Sequence, residues 1–204
     1  MINKNLGVVL ILSFVLGGCV SSKSYVDPKY SGIDYLAIKG VEKQYQAKID
    51  VEFQRNGEHL PAVDAELLSN VERIFRASGV VVPSSDNGDL YIKVTCNNIA
   101  DLAAARAKGF GTGLTFGAAG SAVTDFYQVT IEFTLEGEAV EKEYDHAIHT
   151  TIGNKAPPVK DVEPTSLGNA FSGVVEDVIL QFIKEMQDSN VLTLNSPFVS
   201  KYIF

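Results

Sequence analysis

Three segments of this chain alternate apolar and polar residues with a period of two, and this pattern constrains the fold more than any other feature. The segments are residues 48–55, 90–96 and 127–135. A period of two gives each strand one apolar and one polar face. A fourth segment, 140–152, continues the pattern after the turn at 136–138 and predicts an antiparallel hairpin. We therefore expect a sheet with one buried face.

Two amphipathic helices are available to cover that face. After Pro61, apolar residues recur at three- and four-residue spacing until Gly79, which is expected to end the helix in a left-handed conformation. A second, wider apolar stripe runs over 167–186. Short strands are also predicted at 33–38 and 80–82. The element order predicts an α+β two-layer sandwich, with two helices on one face of a mostly antiparallel four- to five-stranded sheet.

The amino terminus carries a signal for export and anchoring. Lys4 precedes an apolar run over 6–16, which is shorter than the roughly 20 residues of a membrane-spanning helix and is typical of a cleaved secretory leader. The run ends in Leu16-Gly17-Gly18-Cys19, which resembles the lipobox of bacterial lipoprotein precursors. The resemblance implies cleavage before Cys19 and covalent attachment of a diacylglycerol and an N-acyl chain to it.

The lipobox also sets the expected division of the chain. We expect a signal peptide over 1–18, a lipidated cysteine and tether over 19–32, a single α/β domain over 33–190 and a C-terminal tail over 191–204. Residues 20–32 lack periodicity and are interpreted as linker. In enterobacteria an aspartate after the cysteine favours the inner membrane, so Val20 favours a lipid-anchored position on the periplasmic face of the outer membrane.

The charge balance excludes one class of partner. The whole chain has 17 basic and 25 acidic side chains, and removal of Lys4 with the leader leaves 16 basic side chains and a net charge near −9. An acidic surface repels phosphate backbones, so we expect no nucleic-acid partner. It also repels anionic head groups, so membrane attachment depends on the acyl chains, and two or more chains give stable anchoring.

The chemistry-bearing residues form no catalytic or metal-binding pattern. His146 and His149 lie three residues apart, which on a strand places them on opposite faces, so they cannot share an ion. Cys96 falls on the apolar face of its strand and is predicted to fill the core. Neither a nucleophile elbow nor a His-Glu-x-x-His motif is present. We expect a non-catalytic protein with no metal and no cofactor besides the acyl chains.

A glycine-rich segment, 103–123, is the candidate contact segment. It places a small residue at every fourth position, and the stretch 109–124 carries no charge. Small residues at this spacing allow another backbone to approach a helix closely. The segment is predicted to be either a flexible loop or a segment that packs against a membrane, a partner or another copy. Its candidate contact residues are Ala105, Gly109, Phe110, Gly113, Leu114, Phe116, Gly117 and Ser121.

The element order and the lipobox together resemble small envelope lipoproteins of the lipopolysaccharide-assembly and curli-secretion kinds. The resemblance covers about residues 45–187 as a pattern, and no diagnostic motif of either family is present. It favours a non-catalytic binding or assembly subunit of an envelope complex, with an envelope protein partner or self-association. The alternative is an oligomeric outer-membrane secretion-channel component that uses 103–123 as its membrane or self-association element.

Overall fold

The structure is a computed structural model that describes residues 22–85, 88–100, 121–135 and 137–192. Within these ranges, seven strands and two α-helices follow one another along the chain. They are β1 (Ser22–Val26), β2 (Tyr45–Arg55), β3 (Glu58–His59), α1 (Asp64–Ser78), β4 (Val81–Pro83), β5 (Leu90–Ala100), β6 (Ser121–Leu135), β7 (Glu138–Ile152) and α2 (Leu167–Asp188).

The strands form one sheet in the order β1-β7-β6-β5-β2-β3, with β4 paired to β2. Pairing is antiparallel except between β2 and its neighbours β4 and β5, because α1 carries the chain from β2 back to a parallel position. Both helices lie on one face, so the predicted α+β sandwich and the mostly antiparallel sheet are confirmed. The expected four to five strands are corrected to seven in the described ranges.

The sheet has more strands than the sequence predicts because short segments, which show no alternating pattern, also pair into it. The interpretation of 20–32 as linker is wrong for Ser22–Val26, which pairs antiparallel with β7. The strand predicted at 33–38 is also wrong, since Tyr35–Ala37 forms a single 3₁₀ turn. The Asp34 side chain accepts hydrogen bonds from the backbone of Leu36 and Ala37 and so stabilises that turn.

The helices follow the sequence pattern closely. Pro61 opens a 3₁₀ turn that continues into α1, and Gly79 ends the helix with a φ of +71°. Leu67, Val71 and Phe75 are buried against the sheet. The stripe of α2 is wider, and its apolar side chains meet the inner faces of β5, β6 and β7 in one continuous core.

A segment that we call the N-terminal strap, residues 22–39, is packed along α2 and the β7 edge. Ser31 Oγ donates to Asp177 Oδ2 at 2.6 Å, and Tyr35 Oη donates to Glu176 Oε2 at 3.2 Å. At the far end of the strap, the Gln187 amide donates to Lys39 O at 2.6 Å and accepts from Lys39 N at 2.9 Å. The region predicted to be a tether is therefore part of the folded domain.

The sheet has two distinct ends. Ile152 pairs with both Ser22 and Ser121, and we call this the upper end of the sheet. At the lower end, Leu135 pairs with Glu138 and with Leu90. The fourteen residue steps from Glu138 to Ile152 make β7 about 46 Å long at roughly 3.3 Å per step. Both helices begin towards the upper end, because α1 starts beside the end of β2 and Thr165 pairs with Ser24.

Candidate functional site

A cavity of about 320 Å³ lies where β2 and β5 end, between the first turns of the two helices and the helix-covered face of the sheet. Its size falls at the lower limit of small-ligand pockets. Apolar and aromatic side chains form most of its wall, and four polar or charged side chains join them. The described lining residues are Phe53, Arg55, Leu60, Val63, Glu66, Asn98, Asp125, Tyr127, Leu167, Gly168 and Phe171.

The cavity forms because strand ends and helix starts meet there. Asp64 Oδ1 accepts a hydrogen bond from Phe53 N at 2.8 Å, and Leu60 N donates to Phe53 O at 2.8 Å. These bonds hold the start of α1 against the end of β2. The His59 ring is 2.7 Å from the other Asp64 oxygen. The pKa of Asp64 is lowered because these hydrogen bonds outweigh the opposing effect of burial.

Three aromatic rings form one wall of the cavity. The Phe171 ring lies 5.7 Å from that of Phe53 in an edge-to-face arrangement and 5.8 Å from that of Tyr127. All three side chains are almost fully buried. Burial raises the pKa of Tyr127, and the nearby Asp125 carboxylate adds to the effect, so the phenol stays neutral at physiological pH.

Asn98 is the unusual residue in the lining. It is 5% exposed, and its Nδ2 has no hydrogen-bond partner among the described residues. Among the residues that the structure describes, one other buried side-chain polar atom has no hydrogen-bond partner: Ser121 Oγ, at the upper end of the sheet. A buried donor without a partner costs about 1–3 kcal/mol, and most such groups in folded proteins are satisfied. The amide therefore marks a position where a ligand oxygen would be stabilised.

The charges around the cavity are mixed in sign. Arg55 supplies a cation, Glu66 and Asp125 supply carboxylates, and the positive ends of both helix dipoles point towards this end. A ligand cation would meet Arg55 and the helix ends, whereas a ligand anion would meet the two carboxylates. The balance favours an uncharged group near Asn98.

Asn98→Leu is expected to raise the free energy of unfolding by about 1–3 kcal/mol, because leucine has a similar size and removes the unpaired donor. A thermal melt measures the change. The control is Asn97→Leu on the opposite sheet face, where Asn97 Oδ1 accepts a hydrogen bond from Gly57 N at 2.9 Å. The control should lose stability. A lower melting temperature for Asn98→Leu would contradict the unpaired state of the amide.

Most of the residues predicted as functional lie outside the described ranges. These are the lipobox residues Leu16, Gly17, Gly18 and Cys19, and the contact residues Ala105, Gly109, Phe110, Gly113, Leu114, Phe116 and Gly117. Ser121 is described, as the first residue of β6 at the upper end. The chain leaves β5 at Ala100 and returns at Ser121, so the glycine-rich segment is connected to the same end as the cavity.

The two strand histidines point to opposite faces of the sheet, as predicted. His146 is buried on the helix-covered face, where its Nε2 lies 3.1 Å from Asp177 Oδ2. On the other face His149 Nε2 lies 3.2 Å from Asp27 Oδ2, and most of the ring is covered. Burial by itself raises the pKa of Asp27. The hydrogen bond from the Lys29 backbone N–H and the neighbouring His149 ring outweigh this effect, so the pKa of Asp27 is lowered overall. The His149–Asp27 pair fastens the N-terminal strap to β7, whereas the His146–Asp177 pair joins β7 to α2.

Cys96 has the predicted core position. Its side chain is fully buried, and burial raises the pKa of the thiol to about 12. Such a thiol is protonated at physiological pH and a poor nucleophile.

The uncovered face of the sheet is the second candidate surface. Over most of its length it carries polar and charged side chains, and Lys93 is paired with Glu52 at 3.6 Å and Glu132 at 3.7 Å. Nearer the upper end, the neighbouring side chains Ile99 and Phe126 are exposed and apolar. Two exposed apolar residues are common on protein surfaces and identify no partner.

Comparisons with known proteins give distant structural similarity. No protein-family model matches the chain, and no curated protein matches it. A dodecamer of a PelC variant from Paraburkholderia phytofirmans is similar at 15% identity, covering 79% of this chain and 98% of that one, with a TM-score of 0.35. A second PelC dodecamer from that organism has 12% identity, coverages of 81% and 96%, and a TM-score of 0.32. None of the helices in the described ranges has the length and apolar character needed to cross a membrane.

Proposed function

We propose that the protein is a lipid-anchored lipoprotein on the periplasmic face of the outer membrane, where it acts as a non-catalytic binding or assembly subunit of an envelope complex. The lipobox ending in Cys19 supports the anchor. The lining of the cavity supports a binding role, because apolar walls with a few polar groups are typical of binding sites.

The observation that carries the proposal is the position of β1. The strand begins at Ser22, three residues after Cys19. Three residues span at most about 11 Å of extended chain. An acylated Cys19 would therefore hold the upper end of the sheet close to the lipid, and the domain would not hang from a long flexible tether. The strap contacts described above keep that geometry rigid.

This geometry places the cavity in the half of the sheet that is nearer the membrane. The start of α2 lies close to the upper end, since Thr165 pairs with Ser24. Asn98 in the cavity pairs with Tyr127, six residue steps or about 20 Å below Ser121. The lower end, with Glu138, would lie tens of ångströms away from the lipid, given the length of β7.

The experiment compares two single-cysteine labelling sites in the lipidated protein in vesicles. Leu167→Cys places a fluorophore at the exposed start of α2, and Glu138→Cys places it at the exposed lower end of β7. A quencher attached to lipid head groups should quench the label at 167 strongly and the label at 138 weakly. The buried Cys96 should not react under native conditions. Equal quenching at both sites would contradict the proposed orientation.

A further inference from the structure

We propose that the cavity at the ends of β2 and β5 binds a segment of a partner polypeptide, with an apolar side chain between the aromatic walls and an adjoining main-chain carbonyl that accepts a hydrogen bond from Asn98. This inference rests on the proposed function as a binding subunit and deepens it by naming the chemistry of the partner. Four features of the described residues support it.

The first feature is the Asn98 amide. Its Nδ2 is buried and lacks a partner among the described residues, so a bound group must bring an acceptor oxygen to use it. The mixed charges of Arg55, Glu66 and Asp125 favour an uncharged acceptor. A peptide carbonyl is a strong acceptor without net charge.

The second feature is the apolar wall. Phe53, Tyr127 and Phe171 form a continuous aromatic surface, and Val63 extends it towards α1. Such a surface gains free energy by covering an apolar side chain, and aromatic pockets of this kind dominate the affinity of many protein interfaces.

The third feature is the rim of the cavity. Leu60 and Leu167 are 36% and 52% exposed although both are large and apolar. They lie on opposite helix starts and flank the opening. A polypeptide that enters the cavity would cover both, which extends the buried apolar area beyond the cavity itself.

The fourth feature argues against a sugar ring as the occupant. A sugar carries hydroxyl groups around its ring, and each buried hydroxyl needs a partner. Five of the described lining side chains can form hydrogen bonds, but the other five, those of Phe53, Leu60, Val63, Leu167 and Phe171, offer none and would face part of the sugar's hydroxyl groups. A segment with one apolar side chain and one carbonyl matches the lining better.

The test uses the lipidated protein in detergent, labelled with ¹⁵N at asparagine, and the probe N-acetyl-phenylalanine amide. This probe is uncharged and combines an aromatic side chain with peptide carbonyls. The side-chain amide signal of Asn98, assigned by its disappearance in Asn98→Leu, should shift and saturate as the probe is added. Probe binding, followed through the remaining asparagine signals, should weaken about fivefold in Asn98→Leu, since one neutral hydrogen bond is lost.

Two further variants keep the test decisive. Thr95→Val makes a similar polar-to-apolar change on the same strand but on the opposite face, and it should bind the probe like the wild type. If Asn98→Leu does not fold, Leu167→Ser at the exposed rim serves instead and should also weaken binding. Equal binding by the wild type and the rim variant would overturn the inference.

Three further outcomes distinguish the identity of the occupant from the orientation at the membrane. A shift of the Asn98 signal with methyl β-glucoside but not with the peptide probe would overturn the polypeptide assignment in favour of a sugar. If neither probe shifted the Asn98 signal, the inference would be overturned. The proposed orientation at the membrane would be unaffected, because the vesicle experiment measures it separately. Failure of the vesicle experiment with a saturable Asn98 shift would contradict the orientation alone.

Discussion

Val174→Asp is expected to abolish cooperative folding. Val174 is fully buried on α2, in the seam between helix and sheet. A carboxylate without a partner in such a position costs several kcal/mol, and the packing of the valine methyl groups is lost as well. The total stability of a domain is only about 5–15 kcal/mol. A thermal melt followed by circular dichroism should show no cooperative transition, or one at a much lower temperature.

The control for this prediction introduces the same charge elsewhere on α2. Asn169 is exposed in the first turn of the helix, where the dipole favours a negative charge, so Asn169→Asp should melt like the wild type or slightly higher. If Val174→Asp melted cooperatively at the wild-type temperature, the packing of α2 against the sheet would be contradicted.

Cys19→Ser is expected to abolish acylation and cleavage of the precursor completely. The resemblance to a lipobox implies that the Cys19 thiol carries the diacylglycerol, and a serine hydroxyl does not replace it in that role. The variant should accumulate as an unprocessed precursor without acyl chains. Mass spectrometry of the amino-terminal peptide and metabolic labelling with a fatty acid measure the two effects.

Cys96→Ala provides the matched cysteine control. Its thiol is buried and protonated, so the variant should be processed, acylated and fractionated like the wild type, with a modest loss of stability from the smaller side chain. Normal maturation and membrane fractionation of Cys19→Ser would show that the leader is of an ordinary secretory kind.

The long elements could be predicted from the sequence because their periodicity reflects a single covered sheet face. The segment containing Ile92 and Val94 alternates over many residues, and the stripe of α1 repeats over four turns. β1 could not be predicted in this way. It has five residues, two of them serines, and its pairing is set by the free edge of β7, more than a hundred residues further along the chain. Local patterns carry no information about such an edge.

The cavity was not predicted because its lining comes from five separate parts of the chain. One signal did point to it. The inward-facing series Leu90, Ile92, Val94 and Cys96 continues to Asn98, where an amide occupies a position that the pattern assigns to an apolar side chain. β5 ends beside the starts of both helices. A polar residue that continues an inward-facing apolar series at such a strand end indicates a binding site.

The placement of β1 at the sheet edge also determines how the domain carries mechanical load. A force applied to the chain just before Ser22 acts along the strand axis, so the hydrogen bonds of the five β1–β7 residue pairs are loaded together and not one after another. Hydrogen bonds loaded in shear must break almost simultaneously. The β1–β7 pairing therefore resists tension better than it would if its hydrogen bonds broke one at a time from one end. Beyond β1, the carboxylates of Asp177 and Glu176 fasten the next part of the chain to α2. A force on the amino terminus is therefore transmitted to the whole sheet, and the domain would resist unfolding from that end under tension.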